Sequence, residues 1–164
     1  MIREARVLIV GSTFVLMAMD KNRFISRGSI GHGIAYIPGG VIQPGESPEM
    51  CAVRCAREMV NAELGYEDLM PRGTLTFYAE DVPYKTIEVF RTTQVKNNRG
   101  NNPPGDTTLT YARHALRDIL PFEQMQAGYH TWVDPMVRGK WFDANLYYRS
   151  PDGEFLSIEV LDSA

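Results

Sequence analysis

Cysteine, histidine and tryptophan are scarce in this sequence, long apolar runs are missing, and neither sign of charge dominates. Each shortage excludes something. Two cysteines among 164 residues cannot build a disulfide framework. Cys51 and Cys55 stand four apart in a segment that reads as helix, where the rigid backbone makes a local disulfide geometrically poor, so buried or half-buried reduced thiols are expected. A metal pair completed by His32, His114 or His130 stays open, but no Cys-x-x-Cys or His-x-x-x-His spacing supports it. With 17 basic against 20 acidic residues and a net charge of -3, no summed positive field would hold a phosphate backbone, which argues against nucleic acid as a partner. No stretch approaches the roughly 20 apolar residues of a membrane span. The N-terminal MIREARVLIV places charges before a short apolar run that turns at Gly11-Ser12, the pattern of a first strand rather than of a signal peptide. A soluble, cytoplasmic protein is expected, with no membrane partner and with its oligomeric state open. A chain of 164 residues that is 44% hydrophobic fills one core, so residues 1–164 are expected to form one domain.

Glycine and proline, by contrast, are plentiful and placed. Arg6 to Val10 and Thr13 to Met19 flank Gly11-Ser12, which predicts an opening hairpin. Glycines recur at 28, 31, 33, 39 and 40, marking backbone that lies close to other backbone or to a ligand. Ser47-Pro48-Glu49 supplies a cap, a first-turn proline and an early acid, predicting a helix to about Ala62. Along it Met50, Val53, Ala56 and Val60 make one apolar face, and Cys51, Arg54, Cys55 and Glu58 lie opposite. Thr74 to Ala79 alternates as a half-buried strand with Leu75 and Phe77 inward, and Thr86 to Val95 repeats the signal across a Pro83 loop, giving a second hairpin. Lys96 to Asp106 reads as a mobile loop. Pro121 to Val137 holds a further helix with Met125, Tyr129, Trp132 and Met136 as its core stripe. Trp141 to Tyr148 and Glu154 to Val160 flank Ser150-Pro151-Asp152-Gly153 and predict a closing hairpin. Mixed strands with one central and one C-terminal helix make an α/β or α+β sandwich.

The segment from Gly40 to Ala62, GVIQPGESPEMCAVRCAREMVNA, resembles the Nudix box, G-x5-E-x7-R-E-U-x-E-E-x-G-U with U aliphatic. Gly40, Glu46, Arg54, Ala56 and Glu58 fall in register. The resemblance implies an α/β/α sandwich with a mixed sheet, a catalytic-type helix, and a C-terminal helix plus closing hairpin. It also implies hydrolysis of a nucleoside diphosphate linked to another moiety. Carboxylates on one helical face would collect Mg²⁺ or Mn²⁺, and oxygen ligands suit such an ion against a diphosphate. By this resemblance the catalytic residues are Glu58, Glu46, Arg54 and Asp106, and the metal residues are Glu58, Glu63 and Gly40. The sequence departs from the box at Cys55 and Met59, both glutamates in the family, and at Asn61 in place of glycine. A second register, with Arg57-Glu58 heading the tail, would bring in Glu63 and end the helix at Gly65. Read from spacing alone, Arg54 and Glu58 are an i, i+4 pair worth a few tenths of a kcal/mol.

More of the chain resembles the oxidised-purine nucleoside triphosphatases, the MutT-like branch: the glycine-punctuated run from Arg27 to Gly40, the central hairpin, and the last helix with its hairpin. Where that branch reads a purine edge with asparagine, this chain has Tyr36. Where it has Trp-Pro-Asp-Asp, this chain has Gln126-Ala127-Gly128-Tyr129, so oxidised-guanine specificity is not carried over. Tyr36 would stack on a base or fill the vacated pocket. Arg23, Arg27 and Lys21 could meet phosphate or remain solvated, and Gly39 and Gly40 would line the substrate. Asp106 would be either a distal acid or a turn residue. Three functions therefore stay open: a hydrolase, a nucleotide-binding module and an interaction protein.

Overall fold

A computed structural model describes residues 1–20, 34–98 and 110–161, with residues 97–98 and 110–112 as backbone only. Arg23, Arg27, Lys21, His32 and Asp106 lie outside the described residues, as does the run from 99 to 106 of the expected mobile loop.

The opening hairpin forms as expected, from β1 (Ile2–Val10) and β2 (Phe14–Asp20), with the Gly11 N–H donating to Phe14 O at 2.8 Å. Short strands β3 (Ile34–Tyr36) and β4 (Gly39–Val41) precede helix α1 (Pro48–Val60). After β5 (Ala62–Glu63), strands β6 (Met70–Ala79) and β7 (Val82–Thr92) form the central hairpin. Its turn is Glu80-Asp81, both at positive φ (50° and 64°), the conformation of a two-residue type I′ turn. The hairpin thus closes earlier than the expected Pro83 loop. Pro83 lies inside β7 opposite Tyr78, beside a register shift where a missing N–H is tolerated.

Two pairings were not legible in the sequence. Asn97 and Asn98 form β8 and pair with β5, so the start of the expected loop is part of a ladder. Strand β9 (Thr110–Leu116) pairs antiparallel with β2. The expected helix over Pro121 to Val137 is two pieces, a 3₁₀ turn at Phe122–Gln124 and α2 (His130–Val137). Gly128, at φ 86°, breaks it. Met125, Tyr129, Trp132 and Met136 are nevertheless all buried, as the stripe requires. Strands β10 (Asp143–Tyr148) and β11 (Phe155–Leu161) close the chain as the expected hairpin.

Among the described residues nine strands form one mixed sheet, ordered β11-β10-β6-β7-β1-β2-β3, with β4 on β1 and β9 on β2. The β1–β7 and β6–β10 pairings are parallel. Alternation along β1 feeds both faces of the sheet. Ala5, Val7 and Ile9 pack under α1, and Leu8 and Val10 pack with α2, so the α/β/α sandwich is the observed architecture. No helix among the described residues is long and apolar enough to cross a membrane.

The buried face of α1 differs from the expected one. Cys51, Ala52, Cys55, Ala56 and Val60 are buried, Val53 is half-buried, and Met50 is 45% exposed. Small side chains let α1 lie close on β1 and β4, and this close approach displaces the larger Met50 and Val53 from the interface. Both cysteines are buried free thiols, as expected.

Candidate functional site: the loop from Gly39 into the helix

Every local signal around α1 is realised. Ser47 Oγ accepts the Met50 N–H at 3.1 Å, Pro48 opens the helix, and Glu49 sits in its first turn. These features satisfy an orphan donor and complement the helix dipole. At the other end Asn61 adopts left-handed geometry (φ 56°, ψ 34°), with its N–H reaching Ala56 O and Arg57 O. Asparagine therefore fulfils the glycine's role in ending the box helix. Gly65 has an extended backbone (φ -87°), and the helix does not run on to it. Glu63 consequently lies outside the helix, exposed on β5, where its carbonyl accepts the Lys96 N–H at 2.8 Å.

Ahead of the helix, Gln43-Pro44-Gly45-Glu46 makes a tight turn. The Glu46 N–H donates to Gln43 O at 3.0 Å, with Pro44 second and Gly45 third at φ 79°, the residue order a type II turn demands. The turn aims the Glu46 carboxylate back at the helix. Arg54 donates to it from Nε (2.8 Å to Oε2) and from Nη2 (3.0 Å to Oε1). The Gln43 N–H adds a third donor at 3.0 Å. The Arg54 hydrogen bonds, assisted by the Gln43 amide, hold the Glu46 carboxyl at about 2, against an ordinary value of 4.5 and against the opposing effect of burial. Arg54 is pushed upward by the same contact. Its Nη2 also donates to Val41 O at 3.2 Å, and its Nη1 to Glu58 Oε2 at 3.2 Å. Arg54 thus ties together β4, the turn and the helix, and the Arg54–Glu58 contact is only its solvent-side arm.

Gly39 and Gly40 lie flat against this assembly. A Cβ on Gly39 would strike the Ala5 carbonyl and stand 2.8 Å from Arg6 Cα, so only glycine fits. A Cβ on Gly40 would reach 3.4 Å from Cys55 Sγ. The Gly40 carbonyl accepts the Cys51 thiol at 3.3 Å, and the Gly39 N–H donates to Met59 Sδ at 3.4 Å. Burial pushes the Cys55 thiol up to about 12 and also raises Cys51, so both are neutral thiols near pH 7.

Glu58 is on the solvent side, its side chain 60% exposed. Tyr36, on β3, is half-buried and packs against the core beneath α1. His114 packs edge-on against Phe14, and His130 against Phe122 and Phe155. Sequence reading missed Arg6 and Glu4. Arg6 Nη1 donates to Ile37 O (2.9 Å) and Gly39 O (3.2 Å) while Nη2 pairs with Glu4 Oε1 at 2.9 Å, fastening the glycine loop from the α2 side. The available signal was two opposite charges, Glu4 and Arg6, at alternate positions on one face of a strand whose second half is apolar.

Among the described residues the box positions offer a hard divalent cation one carboxylate, Glu58. Glu46 is committed to Arg54, Cys55 and Met59 offer sulfur where the box has carboxylates, and among the described residues no three His, Cys, Asp or Glu side chains gather. Glu58 alone is the lower end of the one or two carboxylates through which Mg²⁺ is ordinarily held beside substrate phosphates, which implies weak binding.

No family model matches the chain, and no curated protein matches it. Solved structures do. A mutator MutT protein from Bacillus halodurans superposes with a TM-score of 0.72 at 19% identity, over 98% of this chain and 97% of that one. A NUDIX hydrolase from Nitrosomonas europaea gives 0.64 at 13% identity, over 90% and 79%. A MutT structure from work on Aliivibrio salmonicida and Vibrio cholerae gives 0.59 at 13% identity, over 84% and 96%. With its mixed sheet between two helices and its glycine loop clamped to α1 through Glu46 and Arg54, the chain has the fold of the MutT and Nudix hydrolases.

Proposed function

We propose that the chain, as one domain, is a Nudix-type nucleotide pyrophosphohydrolase of low turnover, acting on a nucleoside diphosphate linked to another moiety. The observation that carries this reading is the two-pronged Arg54–Glu46 clamp. It preorganises the Gly39–Gly45 loop at the start of α1, and a rigid loop of this kind is what a phosphate-directed site needs. Low turnover follows from the donor count: Glu58 is the one helical carboxylate at a box position. Any hydrolysis is expected to need Mg²⁺ or Mn²⁺. Arg23, Arg27 and Tyr36 are the candidates for contacting the substrate, and Asp106 for a distal acid.

The sulfur side chains at Cys55 and Met59 favour a second reading, in which the chain binds a nucleotide and does not cleave it. One experiment separates the two. The protein is incubated with a panel of nucleotides and nucleotide sugars, with and without Mg²⁺ or Mn²⁺, while phosphate products and thermal stability are read together. Metal-dependent product supports the hydrolase. Stabilisation without product supports the binding module, and neither response would overturn both.

A further inference from the structure

The two box glutamates that this chain lacks are replaced by sulfur, and a third sulfur stands one turn earlier. Cys51, Cys55 and Met59 recur at four-residue steps along α1, which puts them in a row on one helix face. The row is not spread out. Cys51 Sγ and Cys55 Sγ are 4.0 Å apart, the Gly40 carbonyl and the Gly39 N–H bond Cys51 and Met59, and a Cβ added to Gly40 would reach Cys55 Sγ. We infer that Cys51, Cys55 and Met59 form a binding site for a soft monovalent cation, Cu(I), in the place where a hard divalent ion would be expected.

The separation of the two thiols suits a shared ion. Two thiolates at a metal–sulfur distance of about 2.3 Å stand about 3.8 Å apart at a tetrahedral angle and about 4.6 Å apart when linear. The observed 4.0 Å between the two thiols lies between these values, so a small movement would seat an ion between them. A trigonal site needs a third donor, and the thioether of Met59 is next in the row. Its three flexible torsions let it exchange the Gly39 N–H for a metal. Two thiolates and a thioether select Cu(I) over Mg²⁺ or Mn²⁺, which prefer oxygen, and a thioether also disfavours Zn²⁺ relative to Cu(I).

Charge and protons balance. Binding replaces two S–H bonds by two Cu–S bonds and releases two protons, leaving one net negative charge on the copper dithiolate. Arg54 Nη2 lies 3.7 Å from Cys51 Sγ, but its charge is shared with Glu46 and Glu58, so it offsets only part of the dithiolate's charge. Cys51 and Cys55 are 0% and 4% exposed, so the ion would be withheld from bulk water and oxidants.

The test is an anaerobic competition between the whole protein and bicinchoninate for Cu(I), without nucleotide. Wild type is expected to withdraw one equivalent and to develop near-ultraviolet thiolate-to-copper absorbance, unaffected by excess Mg²⁺. Cys51→Ala and Cys55→Ala should each abolish this transfer, and Met59→Leu should weaken it by roughly tenfold. X-ray absorption of copper-loaded wild type gives a readout that needs no variant: a first shell of sulfur alone is expected. The proposal is overturned if wild type withdraws no copper, if Cys51→Ala/Cys55→Ala withdraws as much, or if the first shell is nitrogen or oxygen.

Discussion

Arg54 grips Glu46 through both Nε and Nη2, at 2.8 and 3.0 Å, eight positions apart, joining the Gly45 turn to the second turn of α1. The pair does for the loop what a cap does for a helix end: it fixes where a flexible segment enters a rigid one. Its side chains are largely covered, 26% and 10% exposed, so solvent screens it less than an ordinary surface pair.

The pair makes stability depend on acid. The Glu46 carboxyl is lowered to about 2 in the fold from an ordinary 4.5, so its contribution is fully present above the higher value and is lost as pH falls towards the lower. Denaturant melts of wild type should therefore weaken between those two values. In Glu46→Gln this part of the pH dependence should disappear, with stability at neutral pH lower by about 1 to 3 kcal/mol. Parallel pH profiles for the two proteins would remove Glu46 from this role.

Asn61 ends α1 in left-handed geometry at φ 56°, a conformation that a branched side chain resists. Asn61→Gly should be neutral or slightly stabilising, whereas Asn61→Val should cost about 1 to 2 kcal/mol. Thermal or urea unfolding of both variants checks the order. A valine variant as stable as wild type would mean that the cap is not strained.

The sequence invites Cys55→Glu as a repair of the missing carboxylate, but the structure sets a cost on it. Cys55 is 4% exposed, beneath Gly40, where a larger, charged side chain meets packing and desolvation penalties of about 2 kcal/mol or more. In chelator the variant should melt below wild type. Excess Mg²⁺ should restore part of the difference, because a ligand that binds only the folded chain stabilises it. Calorimetry with and without Mg²⁺ reads both effects, and a melt unchanged by Mg²⁺ would show that no hard-ion site had been created.

Legibility followed the range of the interactions. Ser47-Pro48 and Ser150-Pro151-Asp152-Gly153 are local chemistry, and the cap and the turn stand where their residues place them. The Met125, Tyr129, Trp132, Met136 stripe survived even though Gly128 broke the expected helix, because burial follows side-chain size as well as regular structure. The α1 face was misjudged because hydrophobicity ranks Met50 and Val53 above cysteine and alanine, while the sheet's close approach selects for small volume. The β5–β8 and β2–β9 ladders are set by distant partners, which leave no periodic trace in Asn97-Asn98 or in TYARHAL. In the site, Glu46 and Arg54 were recognisable from the box pattern, yet nothing in that pattern distinguishes the half-buried clamp from the exposed Arg54–Glu58 arm. Arg6 was hidden because its loop partners lie more than thirty residues away.

The most direct test of the proposed activity is the comparison of wild type with Glu58→Gln in metal-dependent phosphate release from the nucleotide panel. Glu58 is exposed and bonded only through its arm to Arg54 among the described residues, so the variant should keep the fold, with a melting temperature within about 2 °C of wild type. The account predicts slow turnover in wild type with Mg²⁺ or Mn²⁺ and a loss of at least about 100-fold in the variant, the scale of removing a group that stabilises reaction charge. Equal turnover in the two proteins would contradict it.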